Sequence, residues 1–207
     1  MMLDDRAFVV MDRVPGSTLN ELTYRRPEVL EEHKITIAYQ LGMHMAFAYV
    51  FGSKDGYQTN YIFNPVDKIL TRVDKESFLD VPDDPHTTLE EGNVYTQEIA
   101  ACELSNLKYI PSFRSNEDRP KVLFAFKQGF MDKYEDIKEK KNELLGLVDE
   151  TRETWLRIEP PREMDEYHEE TRFIRVTVEH LMDQDPVHVL NRLVKAKEEV
   201  DRGEYKK

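Results

Sequence analysis

The order of apolar and polar positions divides the chain into a short β-rich start, one apolar helix, a hairpin and a long helical remainder. Ala7-Phe8-Val9-Val10-Met11 is a β-branched and aromatic run that reads as a strand, and Asp12-Arg13-Val14-Pro15-Gly16 closes it as a turn. Ser17 or Thr18 is placed to cap a short helix near Leu19–Leu22, and Pro27 to occupy the first turn of a longer one. That longer helix carries Val29, Ile35, Ile37, Ala38, Leu41, Met45 and Ala48 to about Phe51, apolar enough to be central. Gly52 to Thr59 is polar and loop-like. Tyr61-Ile62-Phe63 and Ile69-Leu70-Thr71-Arg72-Val73, joined by Asn64-Pro65-Val66-Asp67-Lys68, read as a β-hairpin.

Beyond a Pro-, Asp-, His- and Thr-rich loop at 82–92, the pattern is helical. Ile99, Ala100, Leu104 and Leu107 set a helix over Tyr95–Tyr109, which Pro111 ends. Two more helices are expected from about Arg119 to Phe126, with Pro120 in its first turn, and from about Met131 to Trp155, with Gly129 as the joint between them. The last two fall at about Glu163–Met182 and Val187–Gly203, the latter with Asp185 as cap and Pro186 as first residue. The expected architecture is α+β and mostly helical.

A length of 207 residues fits one domain with an appended arm. The chain is 40% hydrophobic and 34% charged, a charge-rich surface over enough apolar residues to bury, which argues against wholesale disorder. The formal net charge of -12 disfavours nonspecific binding to nucleic acid or to an anionic membrane, because both rest on clustered Lys and Arg. Cys102 is the single cysteine, so no intramolecular disulfide and no multi-Cys zinc module can form. With an acidic N-terminus and with Lys54 and Asp55 soon after the longest apolar stretch, the chain reads as cytoplasmic, with no membrane span.

The chemistry concentrates in Gly52-Ser53-Lys54-Asp55-Gly56-Tyr57-Gln58-Thr59-Asn60 and, after the hairpin, Arg72-Val73-Asp74-Lys75-Glu76. Phosphoryl transfer asks a protein mainly to position groups and neutralise charge: one Asp orients the attacking hydroxyl, while an Asn and a second Asp hold Mg²⁺ against the phosphates. Asp55, Asn60 and Asp74 supply these three types. A hairpin of this length returns Asp74 beside Asn60, within reach of one metal.

This ordered set resembles the C-terminal lobe of the protein-kinase-like fold, in the style of its lipid-kinase-like and aminoglycoside-phosphotransferase-like branches, over about residues 7–150. The resemblance implies a kinase-like C-lobe with a short hinge strand, one β-hairpin and a helical bundle at 1–157, followed by a helical extension at 158–207. It implies a hinge at Met11, Asp12, Arg13 and Val14 that touches the adenine of ATP, Asp55 as the catalytic residue, and Asn60 and Asp74 as Mg²⁺ ligands. Phe126-Lys127-Gln128-Gly129-Phe130 and the helix after it look like later helices of such a lobe.

The pattern also departs from that family. Lys54 stands where protein kinases carry the Arg of His-Arg-Asp, and Asp74-Lys75-Glu76 replaces Asp-Phe-Gly. No Gly-rich loop precedes the hinge and the first lysine is Lys34, so the upper lobe would be absent, divergent or supplied by another chain, with turnover impaired. The expected partners are a nucleotide and a hydroxyl acceptor or a protein. The alternative is a non-catalytic interaction scaffold, with a homo-oligomer among its forms.

Other chemistry-bearing residues carry less. His168, Glu169, Glu170, Glu179 and His180 match no zinc spacing and read as a solvated helix face. Cys102 reads as a small buried hydrophobe, and His44, between Met43 and Met45, as a packed helix histidine.

Overall fold

Thr18 opens the helical part of the fold. Its hydroxyl accepts the Glu21 N–H and the Glu21 carboxylate accepts the Thr18 N–H, both at 3.1 Å, so two main-chain donors at the helix start are satisfied reciprocally. The computed structural model describes residues 2–3, 6–7, 13–51, 53, 56–73, 94–114, 118–158, 175 and 184–203. Two-residue strands β1 (Met2–Leu3) and β2 (Arg6–Ala7) pair antiparallel, and β3 (Ser17–Thr18) leads into helix α1 (Leu19–Arg25). Of the expected first strand, Ala7 lies in β2 and Phe8–Met11 lie outside the described residues.

The expected helix from Pro27 to Phe51 is two helices, α2 (Pro27–Glu32) and α3 (Lys34–Phe51). They part at His33, whose ring lies 5.3 Å from that of Phe63. Helix α3 is buried on most of its circumference, through Ile37, Ala38, Leu41, Met45, Ala46, Ala48, Tyr49 and Val50. Helices Val94–Ser105 and Arg119–Glu139 and the hairpin pack around it.

The hairpin forms as expected, from β4 (Tyr61–Asn64) and β5 (Ile69–Arg72), with Tyr61 opposite Arg72 and Phe63 opposite Leu70. Asn64 shapes its turn: the carboxamide oxygen accepts the Val66 N–H at 3.0 Å and the nitrogen donates to Asp67 at 2.6 Å. A third strand joins the sheet, because β3 pairs antiparallel with β4, Ser17 opposite Phe63 and Thr18 opposite Ile62. Two residues are too few for an alternation to show in the sequence.

The outer edge of β5 is met by side chains of α3. Gln40 donates to the Lys68 carbonyl at 2.7 Å and accepts the Leu70 N–H at 2.8 Å, while the His44 Nε2 lies 2.9 Å from the Leu70 carbonyl. His44 is thus a packed helix histidine with a structural partner. Main-chain groups that an edge strand normally leaves to water are here taken by a helix.

Among the described residues four longer helices follow: α4 (Val94–Ser105), α5 (Arg119–Glu139), α6 (Lys141–Ile158) and α7 (Pro186–Asp201). The segment expected as helix to Tyr109 tightens after Ser105 into a 3-10 turn over Asn106–Tyr109. A joint at Gly129 is not observed: α5 runs unbroken through it and the break falls at Lys140. The reason is packing, since Gly129 and Gly42 each lie against the main chain of the other helix at the α3–α5 crossing. A Cβ on Gly129 would stand 1.9 Å from the Tyr39 carbonyl oxygen, and one on Gly42 2.0 Å from that of Phe126.

Helix α7 starts as read, with the Asp185 carboxylate accepting the Val187 N–H at 2.9 Å and Pro186 in the first turn. Its Val189, Leu190, Leu193 and Ala196 belong to the same buried cluster as α3 and α5, and it packs chiefly on α4. The expected loop at 82–92 and helix at 163–182 lie outside the described residues, Arg175 excepted. Among the described residues no helix is long and apolar enough to cross a membrane.

Candidate functional site

Of the residues singled out by sequence, Met11, Asp12, Asp55 and Asp74 lie outside the described residues, as does the His168 to His180 group. Arg13 is exposed and Val14 half-buried; both precede β3, which touches the 3-10 turn at Gln58–Asn60. Asn60 ends that turn and is buried at the mouth of β4. Its main chain is held on both sides, its N–H donating to the Tyr57 carbonyl at 2.9 Å and its carbonyl accepting the Val73 N–H at 2.8 Å. The segment expected to carry the hinge thus leads into the same sheet as Asn60, and the exit of β5 is bonded to Asn60 directly.

The loop before Asn60 is anchored at each end. The Ser53 N–H donates to the Ala48 carbonyl at 3.0 Å, an i to i−5 bond that closes the end of α3, and Ser53 is buried. Gly56 lies against α4: its carbonyl accepts from the Asn106 Nδ2 at 2.6 Å, and a Cβ on it would lie 2.1 Å from Oε1 of Glu103. Only glycine lets the main chain come so close.

Glu103 is the centre of this arrangement. Its side chain is fully buried, with Oε1 accepting from Nη1 of Arg72 at 3.0 Å and Oε2 accepting from the Tyr61 hydroxyl at 2.6 Å. Tyr61 and Arg72 are cross-strand partners on one face of the hairpin, so one carboxylate ties both strands to α4. Two other donors of the buried Arg72 guanidinium, Nε and Nη2, have no hydrogen-bond partner. Burial pushes the Glu103 carboxyl up to about 7, against the opposing pull of Arg72 and of the Tyr61 hydroxyl. Burial, and next the Glu103 charge, push the Tyr61 phenol well above its ordinary range. Sealed from solvent, Glu103 can hold neighbouring groups but cannot itself meet a diffusing substrate.

Glu103, Arg72 and Tyr61 escaped the sequence reading, although one signal was present. Glu103 falls on the apolar stripe of Ile99, Ala100 and Leu107, and a charge on the buried face of a helix calls for a partner. Cys102, beside it, is half-buried. Among the described residues no group of three or more His, Cys, Asp and Glu side chains converges as a metal site would. The chain matches no protein-family model, no curated protein and no solved structure.

Proposed function

We propose that the chain is a protein-kinase-like phosphotransferase lobe that retains a Mg²⁺–ATP half-site. Asp55 orients a hydroxyl acceptor, Asn60 and Asp74 hold Mg²⁺, and the Met11–Val14 segment touches adenine. The observation that supports this reading is the 2.8 Å bond from the Val73 N–H to the Asn60 carbonyl. Consecutive Cα atoms are about 3.8 Å apart, so Asp74 begins one peptide step from a residue bonded to Asn60. Mg²⁺ favours this kind of site, with one or two protein oxygens and the remaining positions filled by water and phosphate.

The test is thermal denaturation with and without Mg²⁺ and ATP. Millimolar ATP with Mg²⁺ is expected to raise Tm by mass action, through a stabilisation of about 2.7 kcal/mol where the nucleotide stands at a hundred times its Kd. ATP without Mg²⁺ should give a smaller shift, and Asp74→Ala should remove the Mg²⁺-dependent part. A wild-type chain that shows no Mg²⁺-dependent shift at millimolar nucleotide defeats the proposal.

We propose as a second reading an interaction scaffold without turnover, which Tyr57, a ring 56% exposed and three residues ahead of Asn60, serves to test. It predicts a silent nucleotide titration together with self-association or partner binding that Tyr57→Ser weakens.

A further inference from the structure

We infer that Glu103 is the positioning residue of the half-site: it fixes the loop that ends at Asn60 relative to the end of β5 that leads to Asp74. The purpose of that coupling rests on the phosphotransferase reading; the coupling itself is a property of the fold.

Three contacts carry the inference. Oε1 of Glu103 accepts from Arg72 at 3.0 Å, two residues ahead of Asp74 in sequence. Oε2 accepts from the Tyr61 hydroxyl at 2.6 Å, and Tyr61 follows Asn60 directly. The Gly56 main chain rests on the same carboxylate, so closely that a Cβ there would lie 2.1 Å from Oε1, and Asn106, in the 3-10 turn that follows α4, donates to the Gly56 carbonyl at 2.6 Å. One helix therefore grips the loop and both strands at once, using a residue that is proposed neither as metal ligand nor as catalytic residue.

Stability alone is a poor reason for this arrangement. A buried ion pair is often no better for stability than apolar residues of similar volume, because desolvation offsets the attraction. What a carboxylate adds is direction, since two oxygens accepting from two strands fix both to hydrogen-bond tolerance. Arg72 makes the dependence sharper. Its Nε and Nη2 have no hydrogen-bond partner, so Glu103 is its one salt-bridge partner among the described residues. The Arg72 side chain at the end of β5 is thus held by one carboxylate, beside the main-chain bond from Val73 to Asn60.

Removing one member of the pair leaves a buried charge uncompensated and lowers stability in any case, so the deciding variant removes both charges, Arg72→Met with Glu103→Gln. The readouts are Tm, amide hydrogen exchange, and the Mg²⁺ concentration that half-saturates the ATP-dependent shift. The double variant is expected to keep a Tm near that of the wild type and the wild-type protection of α3 and α5. Exchange should quicken at 56–60 and 70–73, and the Mg²⁺ midpoint should rise by about tenfold or more, the usual effect of losing a group that orients a metal ligand. Gly56→Ala, whose Cβ would press on the Glu103 carboxylate and part it from the loop, should quicken exchange in the same loop and decides the matter if the double variant does not fold. Wild-type exchange in both segments overturns the inference; if the wild type still shows its Mg²⁺–ATP shift, the phosphotransferase reading stands without it. A wild type silent to Mg²⁺ and ATP removes that reading instead, and the exchange comparison alone then supports or overturns the coupling.

Discussion

Glu103 makes the chain's stability depend on pH in a direction opposite to most carboxylates. Its ordinary value is 4.5 and burial raises it to about 7 in the folded protein, so between these values the folded chain keeps a proton that the unfolded chain releases. The stabilisation from this group is fully present below about 4.5 and is lost as pH rises through about 7. Urea denaturation of the wild type from pH 5 to pH 8 should show this decline, and Glu103→Gln should flatten it. A wild-type stability that rises across that interval would contradict the assignment. Asp136 has the usual sign: Lys133 and Lys140 hold its carboxyl down at about 2, so its contribution is lost only in strong acid, and it is reduced by solvent screening. At this scale the sequence offered Glu103 as a charge on an apolar stripe but could not name its partners. Arg72 and Tyr61 reach it only after the hairpin has folded back onto α4, across a separation in the chain that local pattern does not register.

Helices α3 and α5 meet through glycine rather than through large side chains. Ala at 129 would drive a methyl group into the Tyr39 carbonyl, and since backbone rather than a flexible side chain must move, Gly129→Ala should cost about 1–3 kcal/mol or more. For a chain of this size that is a Tm lower by about 2–4 °C per kcal/mol. Gly146 is the matched control. It lies exposed in α6 with nothing within 4 Å of a built Cβ, so Gly146→Ala should stabilise by about 0.5–1 kcal/mol through helix propensity. Equal effects from the two substitutions would refute the crossing geometry. The same residue explains a misreading of the sequence: glycine in a helical pattern is a breaker by intrinsic propensity, and Gly129 was expected to end a helix. Tertiary contact decided otherwise, and the break fell at Lys140. Caps, by contrast, are local chemistry, and Thr18, Asp185 and Pro186 were legible as they stand.

Over the whole molecule, the C-terminal helix shares the core of the earlier ones. Leu193 is fully buried, Gln97 of α4 donates to Glu199 of α7 at 3.2 Å, and Arg192 donates to the Tyr49 hydroxyl of α3 at 3.0 Å. Leu193→Ala should therefore destabilise the entire fold by about 2–5 kcal/mol. Calorimetry should show one transition moved to lower temperature; an unmoved main transition would mean that α7 melts independently. The order of helices and hairpin among the described residues was readable from periodicity, although the expected helix from Pro27 to Phe51 divides in two at His33. The mutual placement of α7, α4 and the hairpin was not, since burial on a shared core is a property of pairs of distant elements.

The helical clip on β5 gives the small sheet a direction of growth. Adding a strand beside β5 would first have to release Gln40 and His44 from Lys68 and Leu70, breaking contacts that tie the sheet to the most buried helix. Beside β3 the described residues hold no such clip, and the chain arrives there from the segment that includes Arg13 and Val14. If the sheet is widened, by this chain or another, the addition enters beside β3, and the contacts that hold β5 to α3 stay in place.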